Sequence, residues 1–433
     1  MGLIAPNKPL VEPISLAPIG LMTRYLNKFL SWIPSMVQQP QLDYSVTWVN
    51  RMADIPQAAW DDLAQPLKTP FLEWEWLNNL ETSGSATAKT GWLPNHLTVW
   101  RDRQLIAAAP FYIKGHSYGE FVFDHQWADL SHRLGIRYYP KLLGMTPFTP
   151  ATGYRFLIAP GEDEDRLTEQ MVIAIDHFCD QNRISGCHFL FVDPEWRPVL
   201  ERHGFTSWLH HSYIWQNKGF QTFDDYLSVF NANQRRNIKR ERKAVATTGL
   251  RLDILRGDEI PKSLFPSIYS FYSSTCDKFM WGSKYLTRKF FEQLYPNYSD
   301  RVLLVAAYRE GDDRHPVGLS FCINKGDQLY GRYWGCFEEF DCLHFDACYY
   351  TPIDWGIANG IQMFDPGAGG RHKRRRGFPA TPNHSLHRFY NARFTQILRH
   401  YIAEINAMEQ EEIDAINQDL PFTKREINLS IQD

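Results

Sequence analysis

The sequence predicts an α/β protein made of two similar units in which strands alternate with helices. The tetrapeptides FVDP at 191–194 and MFDP at 363–366 each follow a helical segment, a glycine and a short apolar run. Each half also contains a pair of apolar runs around a polar turn, at 97–113 and at 301–323. The chain has 433 residues, more than one hydrophobic core usually needs, so two domains are expected.

The first domain is expected over residues 46–218. It begins with a strand near 45–49 and a helix at 55–63, for which Asp54 is a candidate N-cap. Apolar runs at 97–100 and 105–113 predict two strands around the polar turn 101–104. Helical spacing of apolar residues over 168–182 then precedes a predicted strand at 187–192.

The segment NANQRRNIKRERK at 231–243 predicts a helix between the two halves. It carries positive charge on nearly every face, so we expect it to be exposed rather than buried. One interpretation is a solvated linker helix, and the other is an arm that binds the phosphates of a carrier molecule. Direct RNA binding by residues 234–243 is a further hypothesis.

The second domain is expected over residues 219–420. Strands are predicted at 301–309, 317–323, 329–335 and 361–364, with a helix ending at Gly360 before the last of them. Residues 1–45 are expected to form a mobile tail with a possible amphipathic helix at 21–37, and residues 421–433 a C-terminal tail. For residues 21–37, packing on the protein itself is favoured over weak docking on a membrane surface.

Composition points to an ordinary globular protein, because 44% of residues are hydrophobic and 22% are charged. The formal net charge of −3 argues against a dedicated nucleic-acid binder, and no DNA partner is expected. The sequence shows no secretory signal pattern and no apolar run long enough to span a bilayer. We therefore expect a cytoplasmic protein, with a peripheral position at the inner membrane face as a variant.

The seven cysteines fit a reducing compartment, because their number is odd and their spacing is irregular. Cys336, Cys342, His344 and Cys348 lie close together in sequence and raise the question of a zinc site. Their spacing lacks the paired knuckles of structural zinc sites, so buried free thiols are favoured and no metal is expected.

Residues 329–378 are the candidate site, because polar, aromatic, glycine and basic residues are concentrated there. Asp346 and Tyr350 are one helical turn apart and predict an acid–base pair, whereas His344 points to another face. Burial beside aromatic rings would raise the pKa of Asp346. The alternative is structural: Asp346 caps a turn, and His344 bonds to a backbone carbonyl.

Several long segments carry a family resemblance: PFLEWEWLNNLE at 70–81, YYPKLLGMTPFTPATG at 138–153, RRNIKRERK at 235–243, LYGRYWG at 329–335, LHFDACYY at 343–350 and FDPGAGGRHKRRRGF at 364–378. Through them the chain resembles the FemAB-like family of peptidoglycan biosynthesis/recognition proteins, which is related to the GNAT-type N-acyltransferases. The resemblance spans roughly Trp48 to Ile402. It implies two GNAT-like domains, each a mixed sheet flanked by helices, and transfer of an acyl or aminoacyl group to an amine of a small molecule or of a cell-wall or glycan precursor.

The resemblance directs attention to specific residues. Asp346, His344 and Tyr350 are the catalytic candidates: Asp346, or a water that it holds, would take a proton from the attacking amine, and Tyr350 or backbone amides would stabilise the oxyanion. The substrate-binding candidates are Arg332, Tyr333, Trp334, Tyr349, Asp365, His372, Lys373 and Arg376.

The donor has two candidates. Many GNAT enzymes bind the pyrophosphate of coenzyme A with a Q/R-x-x-G-x-G/A loop, and the sequence contains no clear copy of it. Aminoacyl-tRNA therefore competes with acyl-CoA, such as acetyl-CoA, as the donor. A function from another class is recognition of a cell-wall or glycan precursor without chemistry, with Tyr333, Trp334 and the basic loop as the platform.

Overall fold

The computed structural model describes residues 44–278 and 283–423. The predicted N-terminal tail up to residue 43, with its amphipathic segment, and most of the predicted C-terminal tail lie outside the described residues. Within the described ranges, no helix combines the length and the apolar character needed to cross a membrane.

The described chain contains both strands and helices, in mixed order. The strands are β1 (Ser45–Val49), β2 (Leu93–Pro94), β3 (His96–Arg101), β4 (Gln104–Ala109), β5 (Tyr112–Lys114), β6 (Lys141–Gly144), β7 (Leu157–Ile158), β8 (Gly186–Phe189), β9 (Thr206–Tyr213), β10 (Trp215–Gln216), β11 (Leu250–Arg256), β12 (Val302–Arg309), β13 (Gly318–Lys325), β14 (Gln328–Cys336), β15 (Met363–Asp365) and β16 (Ala380–Phe389). The α-helices are α1 (Gln57–Ala64), α2 (Trp74–Thr82), α3 (His125–Arg133), α4 (Glu164–Gln181), α5 (Arg197–Arg202), α6 (Phe223–Ser228), α7 (Ala232–Ala246), α8 (Leu264–Lys278), α9 (Arg288–Gln293), α10 (Leu343–Phe345), α11 (Thr351–Ala358) and α12 (Ala392–Gln418).

The strands form one four-stranded sheet, β1-β3-β4-β7, and two six-stranded sheets. The first six-stranded sheet has the order β2-β5-β6-β8-β16-β9, and the second has the order β11-β12-β13-β14-β15-β10. Each six-stranded sheet contains one parallel pair, β6 with β8 and β14 with β15. Helical segments connect both parallel pairs, and both second strands lead into an Asp-Pro turn. The predicted α/β fold of mixed sheets flanked by helices is confirmed.

The two halves exchange strands. β16, from the second half, lies between β8 and β9 in the first six-stranded sheet. β10, from the first half, pairs with β15 in the second six-stranded sheet. The strands that precede the two Asp-Pro turns, β8 and β15, each have two neighbours in their sheet. One of the two comes from the other half of the chain: β16 for β8, and β10 for β15. The domain boundary at residue 218 stays a prediction.

Two local predictions need correction. The apolar run 105–113 is two strands, because Pro110 has no N–H for a sheet ladder: β4 belongs to the four-stranded sheet and β5 to the first six-stranded sheet. Asp54 does not cap α1. It ends a short 3-10 turn and pairs with Arg51 at 2.6 Å, and α1 begins at Gln57.

One hydrophobic core takes residues from both halves. The ring of Phe71 meets that of Tyr330 on β14, with centroids 4.9 Å apart. Beside them Glu73, which is buried, binds Arg301 at 2.8 Å and Lys325 at 2.9 Å. These contacts fix β14 against the first half, and β14 carries three of the candidate site residues.

Candidate functional site

The strands β14 and β15 run in parallel over only three positions and then separate. Residues 328–330 pair with residues 363–365, after which β14 continues while the chain turns away at Pro366. The pairing of β14 with β13 is shifted at the same level, which leaves Arg332 as the extra residue of a β-bulge. Only the strand pairing ends there, because Pro366 and Gly367 of the glycine loop still pack against the backbone of Gly331, next to Arg332.

The bulge directs Arg332 toward the first half of the chain. Its Nη2 donates to the carbonyl of Phe148 at 3.1 Å, and its guanidinium lies 5.5 Å from the ring centroid of Phe71. The next residue, Tyr333, packs on Tyr272 with centroids 4.8 Å apart. Arg332 therefore connects β14 to the first half of the chain, whereas the side chain of Tyr333 packs against α8.

The glycine loop after β15 is held from both ends. Asp365, which is 3% exposed, accepts a hydrogen bond from the N–H of Gly367 at 2.8 Å. Lys373, which is 2% exposed, donates to the carbonyls of Gly367 and Ala368. Gly367 has φ of +90°, and a Cβ there would lie 2.9 Å from the carbonyl oxygen of Gly331. Only glycine fits this close approach without strain.

Burial changes the proton affinity of both residues that hold the loop. It lowers the pKa of Lys373 to about 8, although the carboxylate of Asp365 opposes the change. It raises the pKa of Asp365, which the N–H of Gly367 and the charges of Arg332 and Lys373 counteract. Lys373 thus faces the backbone of its own loop, where the sequence predicted a donor for an anionic ligand.

Between α10 and α11 the helix widens into a π-turn, Asp346–Tyr350. Pro352 has no N–H, and in an α-helix its ring would clash with the carbonyl four residues earlier. The π-turn removes that conflict, because the N–H of Thr351 donates to the carbonyl of Asp346, five residues back. Such turns are frequent at functional sites.

The π-turn also separates Asp346 from Tyr350, since residues four apart no longer align as they do in an α-helix. The Asp346 carboxylate accepts from Thr351 Oγ1 at 3.0 Å and lies 3.6 Å from Nε of Arg242. Burial raises its pKa, while Arg242 and Thr351 act in the opposite direction. The Tyr350 hydroxyl donates to Glu241, so the structure does not form the predicted Asp346–Tyr350 pair.

Arg376 lies at the centre of a buried cluster. Its Nη2 binds Glu241 at 2.9 Å, its Nη1 donates to the carbonyl of His372 at 3.0 Å, and its guanidinium stacks 3.4 Å from the ring centroid of Phe345. Tyr350 shares the Glu241 carboxylate. Arg376 therefore connects the π-turn and α7 to the basic turn, the 3-10 segment Arg371–Arg376.

Sequence reasoning missed Glu241. The expectation that the helix at 231–243 would be exposed rather than buried fails for one face, because Gln234 and Ile238 of α7 are buried, as is Val245 just beyond the segment. Glu241 completes this set, since 234, 238, 241 and 245 follow the helical spacing of one face. The sequence held a signal for this residue: Glu241 is an acidic residue in a basic helix, at a position that shares a face with Gln234, Ile238 and Val245.

His344, Tyr349 and His372 form a ring cluster above the π-turn. The centroids of the two imidazoles are 5.9 Å apart, and the hydroxyl of Tyr349 lies 2.9 Å from Nε2 of His372. Burial, assisted by the positive charges of His372, Arg376 and Lys373, lowers the pKa of His344 to about 4. Its imidazole is therefore uncharged near neutral pH.

A cavity of about 380 Å³ opens beside His344. Trp334 and Phe340 supply aromatic walls, and Glu338, Glu339 and Asp341 place three carboxylates around it against the one ammonium group of Lys278. The start of a helix normally attracts phosphate, but here three acidic residues precede Leu343 and the turn 337–342 has no glycine. The cavity thus suits a cationic group better than a pyrophosphate.

The described residues contain no group of three side chains placed to hold a metal ion. Cys336, Cys342 and Cys348 are free thiols, and burial raises the pKa of each. The arrangement therefore offers acid, imidazole and guanidinium groups for chemistry, with His344, Tyr349 and His372 together and Asp346 set apart.

Comparison with known proteins gives a family and a fold. The family described as peptidoglycan biosynthesis/recognition, FemAB-like, matches residues 51–424. No curated protein matches the chain in sequence. Among solved structures, FemX is similar over 81% of this chain and 99% of its own, with a TM-score of 0.50 and 10% identity.

Two further structures resemble the chain. L-PGS from Bacillus licheniformis covers 78% of this chain and 98% of its own, with a TM-score of 0.46 and 10% identity. A tandem GNAT protein from the clavulanic acid biosynthesis pathway covers 80% and 99%, with a TM-score of 0.40 and 8% identity. The likeness to FemX and the two mixed sheets flanked by helices show a GNAT-like fold, and the family match over most of the length shows that the chain belongs to the FemAB-like family.

Proposed function

We propose that the chain is an N-acyltransferase that transfers an aminoacyl group to an amine in the synthesis of a cell-wall or glycan precursor. Family membership supports the reaction class. The observation that carries the proposal is the acid-lined cavity beside the uncharged imidazole of His344. No covalent nucleophile is needed, because holding donor and acceptor together supplies much of the acceleration.

The aminoacyl group fits the cavity beside His344. An aminoacyl ester carries a free ammonium group, which Glu339 and Asp341 attract beside the Trp334 ring, whereas Glu338 already pairs with Arg309. A simple acetyl group has no charge for these acids to bind. The cavity therefore favours an aminoacyl donor over acetyl-CoA.

In this proposal the imidazole of His344 carries out the proton transfer. Attack by the amine gives a tetrahedral intermediate with a positive nitrogen and a negative oxygen. His344, which lines the cavity, accepts the proton from nitrogen; the intermediate then collapses, the bond from the carbonyl carbon to the donor's ester oxygen breaks, and that oxygen leaves with the proton from His344. Asp346 is assigned a supporting role in the π-turn, where burial raises its pKa.

A basic surface on α7 fits the phosphates of tRNA. Arg236, Lys239, Arg240 and Lys243 are exposed and form no ion pair within the described part of the chain. The Nε2 of Gln234 donates to the carbonyl of Arg375 at 2.7 Å, so this helix adjoins the basic turn. We therefore favour aminoacyl-tRNA as donor, which places the reaction in the cytoplasm.

Binding measurements test the donor. We expect uncharged tRNA to bind with an affinity that falls steeply with salt, and acetyl-CoA to give no saturable heat. Replacing Arg236, Lys239, Arg240 and Lys243 with Gln should reduce the slope of log affinity against log salt by about three. The matched control replaces Lys89, Arg103, Arg393 and Arg399, four exposed basic residues elsewhere, and should leave the slope unchanged. Equal slopes for the two variants would contradict the assignment.

A transfer assay tests the reaction itself. The protein is incubated with tRNA charged with labelled amino acids and with a soluble peptidoglycan precursor or a small primary amine, and mass spectrometry follows the acceptor. The proposal predicts a mass gain of one aminoacyl group. Tight precursor binding without transfer would instead favour the recognition protein considered above.

A further inference from the structure

A second cavity, of about 440 Å³, lies on the first-half side of the glycine loop. Its walls come from β9 and β16, from residues 121–123, from Glu409 on α12, and from Gly367, Ala368 and Gly369 of the loop. It shares no lining residue with the cavity beside His344. None of the catalytic or substrate-binding candidates named above lines it, and the reaction outlined above leaves it without a role.

The apolar part of this cavity is built from large side chains, several under strain. Phe121 has φ of +59° and Phe191 has φ of +54°, a conformation that bulky residues rarely adopt. Phe123 is 74% exposed, although a large apolar side chain in water gains nothing for stability. Trp208 completes the wall. Strained and exposed aromatic residues around one cavity are typical of a ligand site.

An ion cluster fixes the aromatic segment 121–123 from beneath. The residues on either side, Glu120 and Asp124, both bind Nζ of Lys141, at 2.7 and 2.6 Å. All three charged residues are buried. The aromatic wall is therefore held in place before any ligand arrives, which reduces the entropy lost on binding.

The polar groups of the cavity select for hydrogen-bond donors. Asn383 is 4% exposed, and its Oδ1 is buried without a hydrogen-bond partner in the described ranges. Leaving such a group unsatisfied is costly, and a ligand N–H would satisfy it. His211, at 2.6 Å, lowers the pKa of Glu409, which is therefore a carboxylate.

The charge balance favours a cation over an anion, with Glu409 beside His211 as the acidic residue of the lining. Burial lowers the pKa of His210 to about 4, so this ring is uncharged near neutral pH. No lysine or arginine is among the lining residues, whereas Glu409 is. A cation with an apolar body matches both the aromatic wall and the acceptors.

We propose that this cavity binds a primary amine with an apolar body, and that this amine is the acceptor of the transfer reaction. The assignment as acceptor rests on the proposed function, while the binding of an apolar amine does not. The cavity and the proposed donor site are linked through the glycine loop, which leads to His372 and its contact with His344.

Calorimetry with n-butylamine, n-hexylamine and n-octylamine tests the binding. Affinity should rise about fourfold for each added methylene until the cavity is full. n-Octylamine should bind at least tenfold more tightly than nonanoate, which has the same alkyl chain and the opposite charge. No binding, equal affinity along the series, or equal affinity for nonanoate would overturn the proposal.

Two variants locate the site. Phe123→Ser removes an exposed ring without disturbing the core, and Asn383→Leu removes the unsatisfied acceptor while keeping a side chain of the same branched shape. Each should weaken n-octylamine about tenfold, whereas Tyr401→Ser, a change at a ring 52% exposed on α12, should not. If Phe123→Ser and Tyr401→Ser bind alike, the amine lies elsewhere and the proposal fails.

The transfer assay separates the two proposals. Amine binding that depends on Phe123, in a protein that transfers nothing, would contradict the proposed function and support the cavity. Transfer to n-octylamine that is equally fast in wild type, Phe123→Ser and Asn383→Leu would support the function and overturn the acceptor assignment.

Discussion

Replacing Glu241 with alanine tests the buried cluster that holds the site together. The substitution leaves the guanidinium of Arg376, whose side chain is 4% exposed, without its counter-ion. Removing one partner of a buried pair costs about 3–5 kcal/mol, and the 18% exposure of the Glu241 side chain indicates the lower end, about 3 kcal/mol. The Tyr350 hydroxyl also loses its acceptor, which adds about 1 kcal/mol.

The total of about 4 kcal/mol converts to a shift in melting temperature. Unfolding entropy of about 2.1 cal/mol/K per residue gives about 0.9 kcal/mol/K for this chain, so Glu241→Ala should lower Tm by about 4 °C. The matched control is Glu292→Ala, which breaks a helical pair with Arg288 whose side chains are 43% and 61% exposed. That pair contributes about 0.3–0.5 kcal/mol, less than 1 °C. Circular dichroism melts that place both variants within 1 °C of each other would refute the reasoning.

Three other predictions concern the loop, acid stability and Asp346. Gly367→Ala should lower the free energy of unfolding by about 3 kcal/mol, because the added Cβ would approach the carbonyl of Gly331. The control, Gly161→Ala, should lower it by about 1 kcal/mol, since φ there is +87° and no atom lies within 4 Å of the added Cβ. Equal melting temperatures for the two variants would contradict this prediction. Burial lowers the pKa of four histidines to about 4 in the folded protein: His116, His210, His344 and His384. As the pH falls from 6.5 to 4, the unfolded chain binds protons that the folded protein does not, so stability and Tm should both fall over this range. A Tm that stays constant between pH 6.5 and 4 would contradict the burial of these histidines. Asp346→Asn should lower turnover about tenfold with little change in donor affinity, because Asp346 supports the π-turn through Arg242 and Thr351, whereas Asp354→Asn, at the other carboxylate beside Arg242, should retain activity; a loss as large as that of His344→Gln would contradict the supporting role.

The sequence predicts those parts of the fold that depend on local pattern. The strands β12, β13 and β14 lie where apolar and aromatic runs predict them, and the two Asp-Pro turns end equivalent strands. The exchange of β10 and β16 between the sheets could not be predicted in this way, because strand pairing over about 200 residues leaves no local signal.

Within the site, the positions of the side chains depend on the type of helix, which the sequence pattern does not predict. The π-turn at Pro352 separates Asp346 from Tyr350, although an α-helix would have aligned them. The basic run 371–376 is a 3-10 helix, in which residues three apart share a face, so Lys373 and Arg376 are buried together while Arg371 and Arg375 are exposed. Charge alone predicted one basic surface, whereas the helix type divides it into a buried pair and an exposed remainder.

The most direct test of the central claim, that transfer occurs beside His344, is the rate of aminoacyl transfer from charged tRNA to an amine under single-turnover conditions. We predict that His344→Gln lowers this rate at least 100-fold. His400→Gln, a change at an exposed histidine of α12, should stay within twofold of wild type. A folded His344→Gln protein that transfers at the wild-type rate would contradict the account.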